Sequence, residues 1–288
     1  MKLVSLANAG IQEDAVSLAT YLVDRRGLSS DELQRAVALQ RAQEIGFSDA
    51  VLQLGLATKT SLDVARSTQH DASLPMQGAV SAELRSYMQA DSLEARHLGA
   101  LRAALILRSE SAPGVRLAVV SPDRGDGRSH LAAALALSCA RLEQPTLLID
   151  AALRRPVQHR LFGIANESGL AQALKGSSVP RLQGVQGMPH LAVLPAGAAV
   201  DNPLELLTGR LLGDLIRSYG LHYRHIIIDT TDAESSFDGI AAAIAIGTAL
   251  LVTRRDHTSL DASERLVARI RATPVQLIGG VLNVVDAA

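Results

Sequence analysis

The stretch Val119-Val120-Ser121-Pro122-Asp123-Arg124-Gly125-Asp126-Gly127-Arg128-Ser129-His130 constrains the fold of this chain more than any other. A β-branched apolar run feeds a glycine-bearing loop, and an Ala/Leu-rich helix follows at once, Leu131 to Leu142. Strand, flexible loop and helix N-terminus in that order form a phosphate cradle, because free backbone N–H groups and the helix dipole both face the loop. Gly125 and Gly127 let the backbone come close to an anion, and the Ser129 hydroxyl can ligate Mg²⁺. The strict phosphate-loop pattern has Gly at its first position and Lys before Ser, where this chain has Pro122 and Arg128. A tight strand-to-helix turn with no ligand stands beside the phosphate reading at this point.

From Val115 onward, strands alternate with helical stretches. Short apolar, β-branched runs predict strands at Leu117–Val120, Thr146–Ile149, Leu191–Leu194, His225–Asp229, Ala249–Thr253 and Leu277–Leu282. Helical periodicity fills the gaps at Leu131–Leu142, Leu204–Tyr219 and Ser259–Ala272. That alternation predicts an α/β fold, a doubly wound and mostly parallel sheet. Ligands in such sheets sit beyond the carboxyl ends of the strands, where the loop, Asp150 and Asp229 all fall. Either Asp alone reads as a helix cap or turn residue. Two of them converging on one loop favour a Mg²⁺–nucleotide site, with ATP or ADP as ligand. Ser129, Asp150 and Asp229 are then the metal-side candidates, one carboxylate holding the ion and the other accepting a proton.

Composition narrows the class. Of the 288 residues 48% are hydrophobic but only 2% aromatic, so the core must be aliphatic. A net charge of −1 argues against broad nucleic-acid or anionic-membrane binding. The single cysteine, Cys139, allows no disulfide within the chain, which suits the cytoplasm. The opening Met1–Ala7 is too short an apolar run for a signal peptide, and the longest apolar tract, Gly239–Val252, is below spanning length. The expectation is a soluble cytoplasmic chain, peripheral to the inner membrane only through a partner.

The first seventy-two residues carry an internal repeat with an offset of 29, pairing Leu18 with Phe47, Leu22 with Val51, Leu33 with Leu62, Ala36 with Ala65 and Gln40 with Gln69. Each copy reads as helix, turn, helix. Leu33, Ala36, Val37 and Gln40 share one helical face, and Ser29 or Ser30 can cap that helix, as Thr58 or Thr60 can in copy two. This segment resembles the N-terminal domain of type II secretion ATPases. Some members of that family bind cyclic di-GMP through an Arg-Leu-Gly opening. Ser17-Leu18-Ala19 and Gly46-Phe47-Ser48 lack the Arg and the Gly, which argues against cyclic di-GMP and for protein docking. Residues 73–91 read as a linker, and a helix is expected from about Leu93 to Leu107 ahead of the second domain, 92–288.

The second domain resembles the bacterial tyrosine autokinases of capsule and exopolysaccharide synthesis, which share their fold with the MinD/ParA-type P-loop ATPases. The likeness rests on the phosphate loop and on Leu147–Pro156, similar to the family's Asp-x-Asp-x-Arg run. It continues through His159, Phe162, Asn166, Gly169 and Leu170, through Leu194-Pro195-Ala196-Gly197 and Asn202–Leu207, and through Ile226–Thr230 and Gly280–Asn283. With the helical module, it points to the EpsG-like chain-length-determinant kinases. The resemblance implies ATP and Mg²⁺ as cofactors, with Gly125, Asp126, Gly127, Arg128, Ser129, His130 and Asn283 around the nucleotide and Asp150 and Arg128 as catalytic groups. It also implies a membrane chain-length regulator, a polysaccharide co-polymerase, as partner, and a homo-oligomer.

The departures fall on the chemistry. Arg128 replaces Lys, and a planar fork does not simply substitute for a compact ammonium. Ala152 replaces the second Asp, and losing one transition-state electrostatic contact commonly costs ~10²–10³ in rate. Of the family's Glu-x-x-Arg-x-x-Arg oligomerisation helix only Arg102 remains, and Val284–Ala288 carries no tyrosine cluster. The expected function is a nucleotide-binding member of that family, regulating exopolysaccharide chain length or export with weakened or lost kinase activity. An active autokinase, a partitioning-type ATPase and a nucleotide-free docking scaffold are the alternatives.

Overall fold

The computed structural model describes residues 29–43, 45–57, 62, 76, 78–89, 91–108, 114–177 and 180–285. The chain divides into two compact units, Met1–Ser73 and Leu74–Ala288.

In the first unit, helix α1 (Ser30–Gln43) packs on helix α2 (Phe47–Gln53). Ser29 starts α1 with a reciprocal cap. Its Oγ accepts the Glu32 N–H at 3.3 Å, and Glu32 Oε2 accepts the Ser29 N–H at 2.8 Å. Leu33 and Ala36 of α1 are buried, as are Phe47, Ala50 and Val51 of α2. The repeat partners before residue 29, the Ser17-Leu18-Ala19 opening and the caps expected at Thr58 or Thr60 lie outside the described residues.

The second unit is a seven-stranded sheet in the order β3-β4-β2-β5-β1-β6-β7. Its strands are β1 (Arg116–Val120), β2 (Thr146–Asp150), β3 (Gln183–Val185), β4 (Met188–Leu194), β5 (His225–Asp229), β6 (Thr248–Arg254) and β7 (Gln276–Asn283). All neighbours run parallel except β3 and β4. The central strands β2 and β5 are buried at every position, which is why they read as unbroken apolar runs rather than alternating ones. Edge strand β3, with the sequence Gln-Gly-Val, carries too short a pattern to be seen in advance.

The helices, continuing in chain order, are α3 (Arg85–Met88), α4 (Leu93–Arg108), α5 (Arg128–Ala140), α6 (Gln158–Leu161), α7 (Leu170–Leu174), α8 (Pro203–Thr208), α9 (Arg210–Tyr219), α10 (Asp238–Ile246) and α11 (Leu260–Arg271). The single helix expected over Leu204–Tyr219 is two, because Gly209 between them is extended at φ −67°, ψ 156°. α5 is buried from Ala132 through Ala140. Its alanines let the sheet approach on one side and α4 on the other, where Arg102 of α4 donates to Ser138 O and Oγ at 2.5 and 2.7 Å. Part of the stretch expected to be a linker belongs to this unit. Residues Ala82–Leu84 form a 3₁₀ turn leading into α3, Leu84 is fully buried in the core, and Ser81 N–H donates to Leu161 O at 2.9 Å. Two short helical turns are too brief to show a period, so composition alone suggested a linker.

Candidate functional site

The loop between β1 and α5 turns on two left-handed residues, Gly125 at φ +93° and Gly127 at φ +92°. Gly127 is the N-cap of α5, and a Cβ there would collide with the Asn283 side-chain amide. The loop carbonyls are drawn to one side. Asn283 Nδ2 donates to Asp126 O at 3.0 Å, His257 Nε2 to Arg124 O at 2.9 Å and Arg254 to Gly125 O at 3.3 Å. The Asp126 carboxylate is buried and closes the loop, accepting the Asp123 N–H at 2.9 Å and the Thr258 hydroxyl at 2.5 Å. With the carbonyls held outward, the amides of Gly125 through His130 have no acceptor among the described residues. A run of unpaired N–H groups at the positive end of a helix is an anion-binding concavity.

The acids lie behind the loop. β2 and β5 are paired so that Asp150 lies beside Asp229, and both are fully buried. Asp229 Oδ1 accepts the Ser129 hydroxyl at 3.0 Å, and Oδ2 accepts Gln158 Nε2 at 2.8 Å. Asp150 spends its carboxylate on three backbone amides, Ala152 at 3.1 Å, Val157 at 3.1 Å and Gln158 at 3.0 Å, so it fastens the turn between β2 and α6. Burial raises the Asp150 pKa above its ordinary value, and the neighbouring Asp229 raises it further. Burial also raises that of Asp229, with Arg128 acting in the opposite direction.

Arg128 does not extend from the loop as a free cation. Its Nε donates to Thr230 O at 2.5 Å and its NH1 to Ser121 Oγ at 2.6 Å, and Nε lies 3.6 Å from Asp229 Oδ1. The planar fork spans the ends of β1 and β5, using two different nitrogens for the two acceptors. His130 is exposed and paired with Glu83, Nε2 to Oε2 2.7 Å.

In front of these groups opens a cavity of about 630 Å³. The loop from Arg124 to His130 forms one wall, Ala152 and Arg155–Val157 another, and Thr231 and Asp232 a third, with Ser81, Glu83, Arg160 and Leu161 at the rim. Two of the lining residues, Ser81 and Thr231, carry buried hydroxyls with no hydrogen-bond partner among the described residues. Unsatisfied hydroxyls beside a row of unpaired amides fit a polar, anionic ligand such as a nucleotide phosphate chain.

No family model matches the chain. Among curated relatives, tyrosine-protein kinase YwqD of Bacillus subtilis is 30% identical over 167 residues, 57% of this chain and 70% of that protein. The chain belongs to the bacterial tyrosine-protein kinases. It spans about a quarter of the length of the longer tyrosine-protein kinases it matches. Among solved structures, the kinase domain of Escherichia coli tyrosine kinase ETK superposes with a TM-score of 0.67 at 27% identity, covering 74% of this chain and 84% of that one. The cell division ATPase MinD of Pyrococcus furiosus shares the P-loop fold, with a TM-score of 0.51 at 23% identity over 58% of this chain and 71% of that one.

Within this family member, Gly125, Asp126, Gly127, Arg128, Ser129 and His130 all line the cavity, whereas Asp150, Asp229 and Asn283 stand behind it. Asn283 props the loop through Asp126 O. Arg154 pairs with buried Asp238, Nε to Oδ2 2.6 Å, within its own chain. Sequence reasoning missed Gln158, whose Nε2 bridges Asp229 and Ser129 O, the latter at 3.0 Å. It also missed Thr231 and Asp232. Their position two and three residues beyond Asp229 was the available signal.

Proposed function

We propose that the chain binds ATP or ADP with Mg²⁺ in this cavity. We further propose that it serves exopolysaccharide assembly as a nucleotide-responsive regulator whose phosphoryl transfer is weak or lost. One observation carries the reading: the amide row Gly125–His130 is open, while the residue in the lysine position, Arg128, is held on Thr230 O and Ser121 Oγ. Ala152, on the cavity wall, leaves the second acid of the Asp-x-Asp run absent there.

In this scheme the amides would hold the phosphate chain, and the Ser129 hydroxyl with Asp229 behind it would hold the ion. Magnesium, when bound, neutralises charge that develops on the phosphate oxygens. Asp150 anchors the turn that carries Arg155 to the cavity, and Arg128 fixes Thr230 at the end of β5. The exopolysaccharide role, with docking on a membrane chain-length regulator, is supported by the Leu194–Gly197 and Asn202–Leu207 runs and by the helical repeat at the N-terminal end. No described helix is long and apolar enough to cross a membrane.

Calorimetry with ATP and ADP, run beside autophosphorylation with labelled ATP, tests the reading. Nucleotide binding with little phosphotyrosine is the expected result. Absence of binding at millimolar nucleotide refutes the site. A strong phosphotyrosine signal that Asp229→Asn abolishes refutes the weakened-transfer reading.

A further inference from the structure

The wall that lost an acid at Ala152 has one next to it. β2 and β5 are parallel neighbours with Asp150 beside Asp229, and the Ala151 N–H donates to Asp229 O at 2.8 Å, so the two chains leave the sheet side by side. Ala152 from one and Thr231 and Asp232 from the other therefore reach the same cavity.

Asp232 is only 6% exposed. Its Oδ2 accepts the Ser235 N–H at 3.0 Å, and it has no ion-pair partner among the described residues. A carboxylate so far out of water with one neutral donor is costly unless a cation is supplied. Beside it, Thr231 also lines the cavity, and its hydroxyl is buried with no partner among the described residues. A carboxylate and a hydroxyl are hard oxygen donors of the kind that hydrated Mg²⁺ selects. The bond to Ser235 N–H closes the turn after β5 and occupies only Oδ2.

We infer that Asp232, with Thr231 Oγ1, supplies from the end of β5 the metal-directed carboxylate that Ala152 withholds from the end of β2, binding the Mg²⁺ of the nucleotide complex directly or through its water shell. The inference rests on the nucleotide reading above. It makes the site a rearranged acidic set and not simply one acid short.

The test is nucleotide affinity, not turnover. Binding of a fluorescent ADP to the full chain is measured in EDTA and in Mg²⁺ for the wild type, Asp232→Asn, Ala152→Asp and the double variant. The side-chain carbonyl left by Asp232→Asn still accepts the Ser235 N–H, and circular dichroism confirms folding. In EDTA, Asp232→Asn is expected to bind at least as tightly as the wild type, because a charge repelling the phosphates is gone. Its gain in affinity on adding Mg²⁺ is expected to fall by about 10-fold or more, the usual loss when a group supporting a metal is removed. Adding Ala152→Asp is expected to restore the gain, and Ala152→Asp alone to weaken binding in EDTA and enlarge the Mg²⁺ gain. An unchanged Mg²⁺ gain in Asp232→Asn overturns the inference and leaves nucleotide binding standing. A wild type that binds equally with and without Mg²⁺ also overturns it. A wild type that binds no nucleotide in either buffer overturns both readings. If Asp232→Asn does not fold, an unchanged Mg²⁺ gain in Ala152→Asp refutes the shared-cation placement.

Discussion

Replacing Gly127 by alanine attacks the loop at the place where backbone and side chain meet. Gly127 sits at φ +92°, and an L side chain in the left-handed region costs about 1–2 kcal/mol. The new methyl also takes the space of the Asn283 amide. Asn283 must swing away, and the bond from its Nδ2 to Asp126 O is lost, worth about 1 kcal/mol. The two effects sum to about 2–3 kcal/mol, which for a unit of this size lowers the melting temperature by about 5–10 °C. The assay is a melt of the wild type, Gly127→Ala, Asn283→Ala and the double variant. In the Asn283→Ala background the methyl has room, so Gly127→Ala should cost only the backbone part, giving a coupling of about 1 kcal/mol. Nucleotide affinity should fall with Gly127→Ala because the amide row is displaced. A Gly127→Ala melting temperature within about 2 °C of the wild type, or strict additivity with Asn283→Ala, refutes the reasoning.

Three further outcomes are expected. Arg128→Ala strips a cation from beside buried Asp229 and should destabilise by about 3–5 kcal/mol in urea titration, with a cost under about 1 kcal/mol counting against the pairing. His225 is buried, its Nδ1 accepts the Val115 N–H at 2.9 Å, and burial pushes its pKa down to about 4. The unfolded chain takes up that proton below its ordinary value of 6.5 while the folded one does not, so stability should drain away as pH falls from 6.5 towards 4. His225→Gln should lose that part of the slope in melts across pH, and an unaltered slope refutes the assignment. Arg102→Ala forfeits charged hydrogen bonds to Ser138 and should cost about 1.5–3 kcal/mol while leaving sedimentation unchanged, since the guanidinium is used inside its own chain. A drop in association would reassign Arg102 to an interface between copies.

The parallel sheet was legible because β2 and β5 are buried on both faces and so contain little but aliphatic residues. The phosphate loop was legible because strand, glycines and helix are contiguous. What each polar side chain does there was not. Arg128 offers the same charge in sequence whether it points at a ligand or back at Thr230 O, and only the spacing of β1 and β5 decides. Asp150 is marked as a candidate acid by its place at a strand end, but that three amides of the following turn also bind its carboxylate depends on the path of that turn and was not legible. Gln158 follows a proline turn and gains its meaning from register across three elements. The 3₁₀ turn at Ala82–Leu84 was hidden because a lone leucine has no period.

Helix α5 has no face left over: every residue from Ala132 to Ala140 is enclosed. A rod wedged on all sides has nowhere to slide, so the tip that presents the amide row is a fixed anvil. Whatever change of shape accompanies occupancy must then be made by the segments around it, the Thr230–Phe237 bend and the Arg154–Val157 turn. Slow amide exchange along Ala132–Ala140, unaltered by ADP, beside exchange at those two bends that ADP does slow, would be the signature of such a division of labour.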